Sequence, residues 1–145
     1  MAGAFLEIHI DDRQLQGGLR ALQARLSDLR PVFQDLGEAL LNSTRERFTT
    51  QRAPDGSPWA ALSPTYQARK SPNAHLILTL NGYLRGTLNV QASKDTLRIG
   101  TPLIYGATHQ FGRGPIPARP FLGLSDDDLT MIQEAMQEWL TRDLV

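Results

Sequence analysis

Residues 87–100 read TLNVQASKDTLRIG. Leu88 and Val90 alternate with polar neighbours, Ser93-Lys94-Asp95 supplies a turn, and Leu97 and Ile99 resume the alternation on the way back. A period of two belongs to a strand with one covered face, so this stretch predicts an antiparallel hairpin. On both sides of it the apolar spacing changes to three and four, the period of a helix. The chain therefore reads as α+β: a small antiparallel sheet packed against two N-terminal helices and a C-terminal helix.

Upstream, AFLEIHI places Leu6, Ile8 and Ile10 on one face, which predicts a short first strand. Asp11 and Asp12 then offer caps, and Leu15, Leu19, Leu22, Leu26 and Leu29 draw a stripe down a first helix ending near Arg30. Pro31 suits the first turn of a second helix, whose apolar face runs through Phe33, Leu36, Leu40, Leu41 and Phe48. Gly17, Gly18 and Gly37 weaken both helices, so packing must hold them. After the turn at Pro54-Asp55-Gly56, Ser63 and Pro64 open a short helix through Lys70, and Leu103–Phe111 accommodates a helical turn. Ser125 and Asp128 have capping-box spacing, and Leu129, Ile132, Met136, Trp139 and Leu140 give the last helix its inner face. The predicted core is Leu19, Leu22, Leu26, Phe33, Leu36, Leu40, Trp59, Val90, Ile99, Ile132 and Trp139.

Between the last two helical segments lies HQFGRGPIPARPFLGLS, residues 109–125. Pro115, Pro117 and Pro120 fix φ and remove donors, so a stiff, extended Pro/Gly-rich loop is expected. Two readings stand open. In one, Phe111, Ile116 and Phe121 tuck inward and the loop merely crosses the domain. In the other, the prolines preorganise an exposed arm, not a ligand pocket, whose Arg113, Ile116 and Arg119 meet a neighbour at reduced entropic cost.

At 145 residues the chain fits one domain, 1–145. It contains no cysteine, which removes disulfides, thiolate chemistry and cysteine-ligated zinc. Neither a basic leader nor a long apolar run is present, so a soluble protein with no membrane contact is expected. His9, His75 and His109 lack metal-ligand spacing, and no nucleophile elbow or phosphate loop appears; no metal, cofactor or catalytic residue is assigned. Fifteen basic and fifteen acidic residues balance, yet 42–120 holds ten basic and three acidic, while 121–145 holds one basic and six acidic. That asymmetry suits nucleic acid, complementary contact between copies, or an acidic helix lying across a basic body. The densest basic group is Arg45, Arg47 and Arg52, without the pattern of a sequence-reading helix.

The ordered segments RF…PDGSPWAALSPTYQARK, LTLNGYLRGTL, IGTPLIYGATHQFG and IPARPFLGLSDDD closely resemble the phage virion morphogenesis family, tail-completion proteins of tailed phages that include the Mu-type G proteins. The likeness runs from about Phe48 to Asp128 and departs at Asn81-Gly82, where Thr-Gly is expected. It implies a structural, non-enzymatic bacteriophage or prophage protein of the head–tail junction, acting in tail completion and head–tail joining. It also implies a homo-oligomeric ring in the virion, contact with other tail or neck proteins, and assembly in the host cytoplasm. The matched motif residues are Trp59, Tyr105, His109, Gln110, Phe111, Gly112 and Phe121, with Arg113, Ile116, Pro117, Arg119 and Pro120 assigned to an interface. The alternative is a non-specific nucleic-acid-binding module lining a DNA channel, which would bring contact with packaged DNA.

Overall fold

The architecture is built around one long helix. In a computed structural model, which describes residues 3–9 and 12–142, six helices and two strands follow in the order α1 (Asp12–Ser27), α2 (Arg30–Thr50), α3 (Pro64–Arg69), α4 (Tyr83–Gly86), β1 (Asn89–Ala92), β2 (Leu97–Gly100), α5 (Tyr105–Phe111) and α6 (Asp126–Thr141). The α+β class predicted from the hairpin is the one observed.

The hairpin pairs Val90 with Ile99 and Ala92 with Leu97, so these side chains share the face that packs on α2. Ser93 closes the turn by donating its N–H to the Thr96 carbonyl at 2.8 Å, while its hydroxyl accepts from Thr96 N–H at 3.1 Å. A third bond ties turn to helix: Leu29 N–H donates to the Lys94 carbonyl at 2.8 Å, just before α2 begins. Gly37 explains how close strand and helix come. A Cβ there would stand 2.5 Å from Val90 Cγ1 and 3.2 Å from Leu97 Cδ1. The glycine that weakens α2 in isolation is what seats the hairpin on it.

Phe48, Trp59 and Phe121 form the aromatic centre, with Phe48 to Trp59 centroids at 5.4 Å in a T-shape and Phe48 to Phe121 at 5.8 Å. Leu41, Ala53, Leu84 and Leu88 surround them. Leu36, Leu40 and Trp59 are core as predicted, while Phe33, Val90, Ile99, Ile132 and Trp139 are half-buried. Leu19 and Leu26 are not core: both are more than half exposed, because α1 buries no residue and only Gly18, Ala21, Leu22 and Arg25 along it are even half covered. The predicted first strand is also absent over residues 4–9, where Leu6 and Ile8 stand exposed with no partner strand; Ile10 lies outside the described residues. α1 stops at Ser27, short of the Arg30 expected, and α4, which buries Leu84, was not foreseen.

At the far end of α2, Arg47 makes a buried ion pair with Asp128, Nη2 to Oδ2 2.7 Å, and donates from Nη1 to the Phe121 carbonyl at 2.7 Å. The other carboxylate oxygen accepts from the Ser43 hydroxyl at 2.7 Å, and the predicted capping box with Ser125 is complete. Burial alone would push the Asp128 carboxyl up. The hydrogen bonds from Ser125 and Ser43 and the Arg47 charge outweigh it and hold the carboxyl below the usual carboxylate range.

Two outcomes follow. A carboxyl whose folded pKa is depressed contributes stability that is complete above its unfolded value of about 3.9 and is lost as pH falls through the lower folded value. Asp128→Asn should therefore cost about 3–5 kcal/mol near neutral pH, by stranding Arg47, and should flatten the acid limb of stability against pH in denaturant titrations. Gly37→Ala should destabilise by about 1–3 kcal/mol through overpacking, although alanine is the better helix former. Adding Val90→Ala should recover part of that loss, a coupling that a double-mutant cycle reads directly.

Candidate functional site

The Pro/Gly-rich stretch is a loop with an anchored root and an open tip. Its entry needs glycine: Gly112 has φ 78°, and a Cβ there would lie 2.9 Å from Ala118 N and 3.0 Å from the Ile116 carbonyl oxygen. Beyond it the chain is not extended throughout, as its prolines suggested. Arg113 and Ile116 exchange both backbone hydrogen bonds at 3.0 Å, closing a tight turn over Gly114-Pro115, with Gly114 at φ 57°. Proline stiffness and a left-handed glycine thus give a miniature hairpin.

The root, residues 119–122, is held from four sides. Gln110 accepts at Oε1 from the N–H groups of Phe121 (3.0 Å) and Leu122 (2.9 Å), and donates from Nε2 to the Leu122 carbonyl at 2.9 Å, so its amide replaces a neighbouring strand. Trp59 Nε1 donates to the Pro120 carbonyl at 2.7 Å, and Arg47 holds that of Phe121. Arg119 reaches back across the molecule, donating to the carbonyls of Ala60 at 2.7 Å and Ala61 at 2.9 Å. Arg119 is therefore not on an exposed arm; it is buried within its own chain, at 7% exposure. The loop is partly inward and partly exposed, and of the three residues read as tucking inward only Phe121 does so. Phe121 is wholly inside, whereas Arg113, Ile116 and Pro117 face outward beside Phe111, itself 78% exposed.

Under the tip lies a cavity of about 350 Å³ lined by Leu78, Ile116 and Pro117 and by three basic side chains, Lys70, His109 and Arg119. The loop expected to form an arm and not a pocket thus also roofs one. Lys70 is buried and donates to the Leu76 carbonyl. Burial first, and the Arg119 charge second, lower the pKa of both Lys70 and His109, which favours their uncharged forms. His109 stacks edge-on to Tyr105 at 6.0 Å, and its Nδ1 is buried without a hydrogen-bond partner. No acidic side chain lines the cavity, so it favours neutral or anionic groups. The described residues contain no cluster of histidine, aspartate and glutamate that could hold a metal, and none of their helices is long and apolar enough to cross a membrane.

The basic trio read from the sequence does not form a surface patch. Arg47 points inward to Asp128, and Arg52 donates to the Gly56 carbonyl at 2.9 Å. Sequence reading also missed the Arg47 to Asp128 pair, because two charges 81 positions apart carry no local signal. It missed the Lys70 burial for the same reason.

Residues 10–141 match the model of the phage virion morphogenesis family. The chain is 32% identical to the capsid assembly protein G of Escherichia phage Mu, covering 92% of each chain. It is 29% identical to the Mu-like prophage FluMu G protein 1 of Haemophilus influenzae, over 94% of this chain and 95% of that one. It is 30% identical to the tail completion protein S of Escherichia phage P2, over 80% and 87% respectively. No solved structure matches the chain. A loop pinned by Trp59, Gln110, Arg119 and Phe121, in a chain matched almost end to end by assembly proteins, leads to one conclusion: this protein belongs to the phage virion morphogenesis family and serves virion assembly.

Proposed function

We propose that the protein completes the phage tail at the head–tail junction and joins it to the head, as one copy in a homo-oligomeric ring and without catalysis. The observation that carries this reading is the division of the loop at residues 109–122. Its root is fixed by Arg47 and Trp59 from two other segments and by its own Gln110 and Arg119, while Arg113, Ile116, Pro117 and Phe111 are presented to solvent. A preorganised apolar tip with one cation suits docking onto another protein, because little ordering entropy remains to be lost on contact. The names of the Mu and P2 relatives, capsid assembly and tail completion, support both sides of the junction. Its place of action is then the virion, reached by assembly in the host cytoplasm.

Two substitutions separate docking from folding. Arg113→Glu should leave thermal unfolding within about 0.5 kcal/mol of the parent, since an exposed charge seldom governs stability. It should nevertheless cut infectious particles in a complementation assay, with unjoined heads and tails visible by electron microscopy. Arg119→Glu should behave oppositely and lower the unfolding midpoint of the purified chain, because it removes the bonds to Ala60 and Ala61 and buries a carboxylate. Normal particle yield from Arg113→Glu would remove the tip from the junction. DNA contact in the ring predicts binding that weakens steeply with salt, measurable on a short duplex.

A further inference from the structure

Two helices leave part of their apolar stripes uncovered in the single chain. In α1, Leu15, Leu19, Leu22 and Leu26 recur at steps of four, three and four; in α6, Leu129, Ile132, Met136 and Trp139 recur at three, four and three. Both are the a/d period of a helix that packs against another helix along its length. Neither is wholly covered: α1 buries no residue and leaves Leu15, Leu19 and Leu26 more than half exposed, while in α6 Leu129 is exposed and Ile132, Met136 and Trp139 are half-buried. Within the chain, the two helices meet near their C-terminal ends, where Arg25 Nη1 donates to the carbonyls of Trp139 at 3.0 Å and Leu140 at 3.2 Å. Beside α6 an apolar groove of about 350 Å³ opens between Phe33, Leu36, Leu97, Leu124 and Ile132.

We infer that α1 of one copy docks along α6 of a second copy, its leucine stripe covering the α6 stripe and this groove. Charge selects the pairing. Arg25 is taken by α6 of its own chain and Asp128 by Arg47. Beyond these, α1 carries Arg13 and Arg20 against one aspartate and α6 carries four exposed acidic residues and no basic one, so α1 attracts α6 more than another α1. Length agrees too, since each helix has 16 residues, about 24 Å. Because donor and acceptor surfaces differ, one such contact per neighbour is head-to-tail, which gives a ring where the rotation between copies closes. The inference rests on the homo-oligomer of the proposed function and names the surfaces that join it.

The absence of cysteine makes the test direct. Leu19→Cys protein is mixed with Leu129→Cys or Met136→Cys protein and oxidised, with Ala24→Cys on the opposite face of α1 as control; sedimentation of the parent protein reports association independently. Mixed disulfide dimers several-fold above the control are expected, and Leu19→Glu should abolish association of the otherwise unmodified chain while leaving its unfolding midpoint unchanged. A predominant Leu19→Cys homodimer would show α1 pairing with α1 and overturn the inference. So would a disulfide within one chain of the Leu19→Cys/Met136→Cys double variant that persists on dilution. Copies that associate without cross-linking above control sink the α1–α6 contact and leave the homo-oligomer standing, whereas copies that never associate sink both.

Discussion

Arg47 is the point on which the fold depends. One guanidinium joins α2 to the N-terminus of α6 through Asp128 and to the loop root through the Phe121 carbonyl. A buried charge is tolerable only when its donors are matched, and here Asp128 is in turn bonded by Ser43 and Ser125. The pair therefore acts as a specification of geometry: three segments distant in sequence must arrive together or leave a charge stranded. Phe121 completes the arrangement from the apolar side, its backbone held by Arg47 and Gln110 while its ring fills the space beside Phe48.

The same logic runs through the loop. Prolines 115, 117 and 120 cannot donate, so a purely backbone solution for this stretch is closed. Side chains supply what a strand would have supplied: an amide from Gln110, an indole from Trp59, guanidinium groups from Arg47 and Arg119. The consequence is a rigid stem under a short exposed turn. In a protein whose relatives assemble virions, rigidity there has a use, because a docking element that is already shaped loses little entropy on binding.

Elsewhere the molecule is conspicuously unfinished. α1 lies against the body through a few half-covered residues, α6 keeps its apolar stripe half open, and the hairpin is a two-stranded sheet. Sheets of that size are marginal alone and rely on a covering layer. Exposed apolar stripes of this kind suit contact with other proteins. A subunit destined for a larger assembly can leave such faces for its neighbours to cover.

Much of this was determined by the sequence alone, where the physics is local. The hairpin followed from the alternation of Val90, Leu97 and Ile99, α3 from Ser63-Pro64, α6 from the Ser125 to Asp128 box, and the family from motifs in fixed order. Tertiary structure decided what local pattern cannot express. A leucine stripe states that a helix has an apolar face but not what covers it, so Leu19 and Leu26 read as core and stand exposed. An arginine in a proline-rich loop reads as surface until distant carbonyls at Ala60 and Ala61 receive it. Gly37 reads as a flaw in a helix until Val90 comes to lie against it. Periodicity is a property of neighbours along the chain, while burial, charge pairing and close approach belong to neighbours in space.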